Sequence, residues 1–337
     1  MKILYLSCHS ILEYDEIKLF TEMGLDVFSH GAYADPDKQG DGMRPKIPGL
    51  KADPKILDLW RRTPKERLTE EMVEPFDTIL VMAVPEWVTH NWQVIKKKRV
   101  IFRTIGQTSA HRERELKPYR QEGLQIVRYS PKEANVRDFI GGDTVIRFYK
   151  DPAVYTGWSG EESCVLNFTQ SMKQRARQCN FAFFRRILEG VPFRLYGPQN
   201  ELIGRDWAQG ALTFEDMQIQ LRKNRAYFYV GTYPTSYTLN FVEAWMTGIP
   251  VVAVGRETGN DPEFFGQDLY EVPDLITHGE DGFWSDDESE LRDALEELLK
   301  DPKTAAAMGR RGREKAIQVF GKETIRSQWA SFLGNNR

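Results

Sequence analysis

Short apolar runs and amphipathic segments alternate along this chain; the alternation runs through once, breaks, and starts again. "KILYLS" (2–7) reads as a buried strand. "ILEYDEIKLFTEMG" (11–24) has helical apolar spacing (Ile11, Leu12, Ile17, Leu19, Phe20, Met23) and stops at Gly24, a helix-ending residue. "LDVFSHG" (25–31) reads as the next strand, and strand–helix–strand with short links seeds a parallel sheet. "DTILVMAV" (77–84), "KRVIFRTIGQ" (98–107) and "LQIVRYS" (124–130) supply three more strands. Residues 35–75 interrupt the rhythm with Pro, Gly and Asp, an excursion carrying short helices at "PKILDLWRR" and "TPKERLTEEMV". "TVIRFYKDPAVYTGWSGEES" (144–163) reads as an inter-domain connection.

The alternation then restarts. Strands are expected at "CVLNFT", "FRLYG", "AYFYVG" and "IPVVAVG", and helices over 170–190, over 213–224 with a capping-box-like Thr213–Asp216 start, and over 287–302, 303–320 and 322–333. The expected fold is α/β: two Rossmann-like, doubly wound parallel-sheet domains facing a central cleft. The expected division is 1–155, then 156–320, then a C-terminal helix over 321–337 packing back on the first domain. Ligands of open α/β sheets bind at the carboxyl ends of the strands.

A chain of 337 residues exceeds the roughly 250–300 residues at which a single core stops growing. A net charge of −3 excludes a uniformly basic nucleic-acid binder. Three cysteines without metal-ligand spacing read as reduced thiols, and no apolar run approaches the ~20 residues that span a bilayer, so a cytoplasmic location is expected. The segment from Lys96 to Lys150 holds 14 basic and 6 acidic residues, which reads as a solvated face or as a positive face for an anionic polymer.

The most informative stretch is "TSYTLNFVEAWMTGIPVVAV" (235–254). Its helix opens near Thr238, and first-turn amides with the helix dipole bind phosphate without a basic side chain. Thr235, Ser236 and Thr238 stand ready to cap that end or to touch a ligand. Glu243 shares a face with Leu239 and Asn240, suited to accepting hydrogen bonds from ribose hydroxyls.

These residues resemble the signature segment of GT-B glycosyltransferases, retaining glycosyltransferase family 4 in particular. The resemblance extends through most of 164–333, whereas over 1–150 only the architecture matches. It implies that Glu243 holds the donor ribose and that the backbone amides of Leu239 and Asn240 hold the diphosphate. The family usually shows two glutamates with seven residues between; here the first falls at Thr235 and the following glycine at Ser236. The family's cationic pair after the first strand of this domain is represented by "FTQSMKQRARQ", with Lys173 and Arg177 on one helix face as diphosphate ligands.

The N-terminal half is expected to bring the acceptor, its candidates being loop residues after strands: Ser7, His9 and Ser10, Pro85 to His90, and Gly106 to His111. The family often has a histidine after the strand matching "VIFRTI"; this chain has Gly106-Gln107 there and His111 further on, so His9, Gln107 and His111 are the nominated catalytic groups. Asp35-Pro-Asp37 reads as a solvated turn rather than a metal site. The tryptophans Trp60, Trp87, Trp92, Trp158 and Trp207 read mostly as core or rim; Trp207, in the loop before the nucleotide segment, is the first candidate to stack on a base or sugar.

The resemblance implies a glycosyltransferase, hexosyl or pentosyl, moving a sugar from a nucleotide-diphosphate donor (a UDP-sugar first) to a hydroxyl, with retention, no metal and no further cofactor. Its acceptor is a small molecule, a glycan or a modified nucleic-acid base. A sugar-nucleotide-binding protein without turnover, and an epimerase or phosphorylase of the same fold, are the alternatives. Oligomeric state is left open.

Overall fold

The structure, a computed structural model, describes the chain apart from residues 36, 38–43, 51, 65, 107, 261–266 and 335–337. Contacts divide it into two units, Met1–Tyr149 with Ile325–Arg337, and Lys150–Thr324.

The first unit runs β1 (Lys2–Leu6), α1 (Ser10–Glu22), β2 (Asp26–Ser29), α2 (Pro54–Arg62), α3 (Glu70–Val73), β3 (Thr78–Met82), α4 (Pro85–Thr89), α5 (Trp92–Ile95), β4 (Arg99–Arg103), α6 (Ala110–Gln121), β5 (Gln125–Arg128) and β6 (Thr144–Val145). Its six strands lie in the order β2-β1-β3-β4-β5-β6, each paired parallel to its neighbour. Ile3, Leu4, Tyr5 and Leu6 are all buried, as parallel strands covered on both faces demand. Leu4, Leu6, Ile79, Val81, Phe102 and Ile126 belong to one apolar cluster.

A buried cation crosses this unit. Arg103, at the carboxyl end of β4, pairs with Glu16 of α1 (Nε to Oε1 3.0 Å) and donates to the carbonyls of Ile146 (2.6 Å) and Arg128 (3.3 Å). The Tyr5 hydroxyl donates to the same Glu16. The last helix, α14 (Lys322–Gly334), contributes Trp329, whose ring stands edge-on to Phe20 at 5.0 Å and 5.7 Å from the Arg103 guanidinium. Arg99 donates to the carbonyls of Phe332 and Leu333 at the end of α14.

The second unit runs β7 (Glu162–Phe168), α7 (Phe181–Ile187), β8 (Phe193–Tyr196), β9 (Ala208–Gln209), α8 (Phe214–Lys223), β10 (Asn224–Tyr229), α9 (Leu239–Thr247), β11 (Val251–Val254), α10 (Arg256–Gly259), α11 (Val272–Leu275), β12 (Phe283–Ser285), α12 (Glu288–Lys300) and α13 (Pro302–Phe320). The strands lie in the order β12-β11-β10-β7-β8-β9, again parallel. Helix α12 shows how sequence dictates element: Asp287 accepts from the Ser289 and Glu290 amides, and Leu291, Leu295 and Leu298 form its buried stripe. Each such leucine contributes on the order of 2 kcal/mol. Helix α9 ends at Gly248 (φ +96°), and α13 approaches so closely that a Cβ on Gly309 would lie 2.1 Å from the Gly248 carbonyl oxygen.

Three expectations are corrected. The helix expected over 170–190 is regular only from Phe181, because Ser171 and Asn180 take left-handed backbone and Asn180 turns its amide to the carbonyl of Val230 at 2.8 Å. "TPKERLTEEMV" is helical only over Glu70–Val73, where Thr69 caps the Met72 amide. The 144–163 stretch is not purely a connection, since β6 completes the first sheet.

Removing Arg103 leaves the Glu16 carboxylate buried without its ion-pair partner. Arg103→Ala is expected to lower stability by about 3–5 kcal/mol, read from the urea midpoint; loss under 1 kcal/mol would deny the pair its structural weight.

Candidate functional site

Strand order in the second sheet reverses between β7 and β10, so the loops after these strands leave in opposite directions at one carboxyl edge. Both loops are tied together there. Asn240, in the first turn of α9, donates its side-chain amide to the Phe168 carbonyl at the end of β7 and accepts from the Phe241 amide at 2.8 Å. The turn segment 170–180 is stitched to the β10–α9 loop by Tyr233 donating its backbone amide to the Gln178 carbonyl at 2.8 Å.

The start of α9 is open. Thr238 holds the N-cap position in extended backbone, yet its hydroxyl meets the Tyr229 hydroxyl (3.2 Å) and the Asn240 side chain instead of a first-turn amide. The Leu239 and Asn240 amides find no acceptor among the described residues, and the first turn carries no acid. Neighbouring helices differ. Asp286 takes the Glu257 and Thr258 amides of α10 at 3.2 and 2.8 Å, and Thr213 takes the Asp216 amide of α8 at 3.1 Å. An uncapped nine-residue helix start beside a strand-order reversal is an anion-binding geometry.

One turn further, Glu243 is buried and ion-paired. Lys150 Nζ lies 2.6 Å from its Oε1, and the Tyr155 hydroxyl donates to the same oxygen at 2.9 Å; the lysine side chain is 0% exposed and the glutamate side chain 5%. The segment carrying Lys150 and Tyr155 is clamped by Arg313, which donates to the carbonyls of Pro152 (2.8 Å), Tyr155 and Met246. Lys150 and Tyr155 lie in a Pro- and Gly-containing run that reads as linker, and no local spacing marks them.

The other nominated residues fall as follows. Thr235 is half-buried and donates to the Thr232 carbonyl at 2.5 Å. Ser236 is buried (1% exposed), with its carbonyl taking the Glu271 amide at 3.0 Å, so it is not presented at the helix tip as expected. Lys173 and Arg177 are exposed on the 170–180 turns, not on one face of a regular helix, because that helix begins only at Phe181. Trp207 packs on Phe193 at the amino end of β8 (4.7 Å) under the Arg185 guanidinium (4.4 Å), away from the carboxyl edge. Among the described residues no three His, Cys, Asp or Glu side chains gather as a metal site.

The first sheet reverses its order between β1 and β3. Their carboxyl ends open on a cavity of ≈ 620 Å³ whose lining includes Cys8, His30, Trp60 and Trp87. The His30 ring stands edge-on between two indoles, 4.7 Å from Trp60 and 5.0 Å from Trp87. Its loop is fixed by buried Glu13, which accepts from Ser29 Oγ and from the Ala32 (2.9 Å) and Tyr33 (2.8 Å) amides. A Cβ on Gly31 would sit 2.3 Å from that carboxylate, so the loop needs glycine there. Burial raises the Glu13 carboxyl against these hydrogen bonds.

His9 serves as the N-cap of α1, its Nδ1 accepting from the Leu12 amide at 3.4 Å. His111 is exposed in the first turn of α6, and Gln107 lies outside the described residues. Asp37 donates its amide to Asp35 in an exposed turn at 3.0 Å. Several cations of the basic segment are paired: Arg128 is buried against Glu113 (2.6 Å), Arg120 pairs with Asp143 (2.6 Å), Lys97 with Glu70 (3.1 Å) and Arg114 with Asp138.

Residues 175–323, which lie within the second unit, match the glycosyl transferase-like family. No curated protein matches the sequence. Among solved structures the chain is similar to a sucrose-phosphate synthase from Thermosynechococcus elongatus (16% identity, 99% of this chain and 98% of that one, TM-score 0.69). It is similar also to HepE of Anabaena in complex with UDP (15%, 99% and 100%, TM-score 0.63). An alpha-glucosyltransferase in complex with UDP-glucose and DNA containing an abasic site matches at 13% (99% of both chains, TM-score 0.60). At such identities the likeness speaks for the fold, and the fold is GT-B.

Burial lowers the His30 pKa, so acid favours the unfolded chain, where the imidazole protonates freely. The stabilising effect of neutral His30 is present above its unfolded pKa and is lost as pH falls through the lowered folded value. The wild-type melting temperature is therefore expected to drop more steeply than that of His30→Phe between about pH 7 and 5. Parallel curves would contradict this.

Proposed function

We propose that the chain is a glycosyltransferase that draws on a UDP-sugar. The observation that carries this reading is the uncapped start of α9 at the strand-order reversal, within the segment that matches the glycosyl transferase-like family. The diphosphate sits on the Leu239 and Asn240 amides, with Lys173 and Arg177 on the adjoining turns as countercharges. As the glycosidic bond breaks, charge grows on the leaving diphosphate, and fixed amides oriented beforehand stabilise it. No metal ion is called on in this reading, and transfer proceeds with retention. The complexes of HepE with UDP and of the alpha-glucosyltransferase with UDP-glucose support the choice of uridine diphosphate.

Glu243 accepts the ribose hydroxyls. Lys150 and Tyr155 give this reading its support, since their contacts at 2.6 and 2.9 Å hold the carboxylate in one orientation. The position where the resembled family has a second glutamate is Thr235, whose hydroxyl turns to its own loop. That observation favours a second reading, a sugar-nucleotide-binding protein without turnover.

UDP release from a panel of UDP-sugars, with mixed acceptors, separates the two. Release with one donor, and a fall of at least tenfold in UDP affinity for Glu243→Gln by calorimetry, are the expected results. UDP binding without release under every acceptor favours the binding protein. Unchanged UDP affinity in a folded Glu243→Gln protein removes the ribose assignment.

A further inference from the structure

The ≈ 620 Å³ cavity of the first unit lies within the roughly 300–1,000 Å³ typical of small-molecule sites, and at a strand-order reversal. Its composition selects a ligand. Trp60, His30 and Trp87 form an aromatic cluster in its lining, the imidazole edge-on to both indoles at an interplanar angle of 73°. Such clusters take the C–H face of a ring by stacking.

The charged lining is two carboxylates and one guanidinium. Arg61 pairs with Asp35 at 3.4 Å. Glu66 has no ion-pair partner among the described residues, and its backbone is in the left-handed region (φ +61°). Buried Asn91 holds it there, donating to the Glu66 carbonyl at 3.0 Å while accepting from the Leu68 amide at 2.8 Å. Non-glycine backbone of this kind is costly and persists where the surroundings impose it. His30 adds no positive charge, since burial keeps it neutral near pH 7. The pocket is therefore aromatic and net negative. A phosphorylated or nucleic-acid ligand would set its anions against Asp35 and Glu66, whereas hydroxyls would donate to them.

We propose that this pocket binds one ring of an uncharged saccharide, stacked on the Trp60–His30–Trp87 cluster with its hydroxyls donating to Asp35 and Glu66. Calling that saccharide the acceptor rests on the glycosyltransferase reading; the pocket's preference does not.

Cys8, which lines the cavity and is the exposed member of the three cysteines, reports occupancy in the full chain. Its alkylation by iodoacetamide is followed by mass spectrometry with methyl α-glucoside, maltose, cellobiose, sucrose, glucose 6-phosphate or a short single-stranded oligonucleotide. Tryptophan fluorescence is read on the same samples. At least one neutral saccharide is expected to slow alkylation fivefold or more and to quench fluorescence saturably. Glucose 6-phosphate and the oligonucleotide are expected to need at least tenfold higher concentration. Trp60→Ala and the milder Glu66→Gln are each expected to weaken protection tenfold. Protection by no neutral saccharide, stronger protection by the phosphorylated probes, or undiminished protection in folded Glu66→Gln would overturn the proposal. UDP affinity measured in parallel keeps the two readings apart: UDP binding without saccharide protection removes this pocket alone, and protection without UDP binding removes the donor reading alone.

Discussion

A lysine and a glutamate 2.6 Å apart, the first with no exposed side-chain surface and the second with 5%, decide how the second unit presents its helix start. Either charge alone would be strongly unfavourable there, so each requires the other. Lys150 opens the unit, its amide donating to the Phe320 carbonyl at the end of α13. Glu243 sits one turn into α9. Tyr155 and Arg313 complete the contact, so α9 is tied to chain segments far from it in sequence. What remains open one turn earlier, at the start of the helix, is a pair of backbone amides whose position is fixed before any ligand arrives.

That openness is selective. At the same carboxyl edge α10 has its amides filled by Asp286, and α8 and α12 carry their own caps in Thr213 and Asp287. The N-cap threonine of α9 instead turns to Tyr229 and Asn240, and Asn240 bridges to the end of β7. The two strands at the reversal are thus joined by a side chain that leaves the first-turn amides uncovered. In the first unit the equivalent reversal leads to an aromatic, acidic pocket, so the two edges suit different chemistry: anion at one, neutral polyol at the other.

The sequence shows the larger elements because their causes are local. A parallel strand covered on both faces must be apolar throughout, so "ILVM" and "VVAV" stand out; Gly248 ends α9 because the chain turns left-handed there. Of the candidate site, the helix start at Thr238 and Glu243 stand close together in sequence and are readable from it. Their partners are not. Lys150 lies 93 residues from Glu243 in a stretch that looks like linker, and His30, Trp60 and Trp87 come from three separate places in the chain, the loop after β2, α2 and α4. The 170–190 segment has helical spacing, but a left-handed Asn180 bonded to Val230 interrupts it, a tertiary demand no periodicity reveals. Strands of two or three residues, β6, β9 and β12, are too short to carry a pattern. Trp207, expected to stack on a base or sugar, packs instead on Phe193 at the amino end of β8.

The most direct measurement is the amide nitrogen–proton NMR spectrum of the isotopically labelled chain during titration with UDP. The donor reading expects the largest shifts at the Leu239 and Asn240 amides, saturating with the bound fraction. Saturable UDP binding that leaves those two amides unmoved, with its shifts confined to α10 or to the first unit, would contradict it.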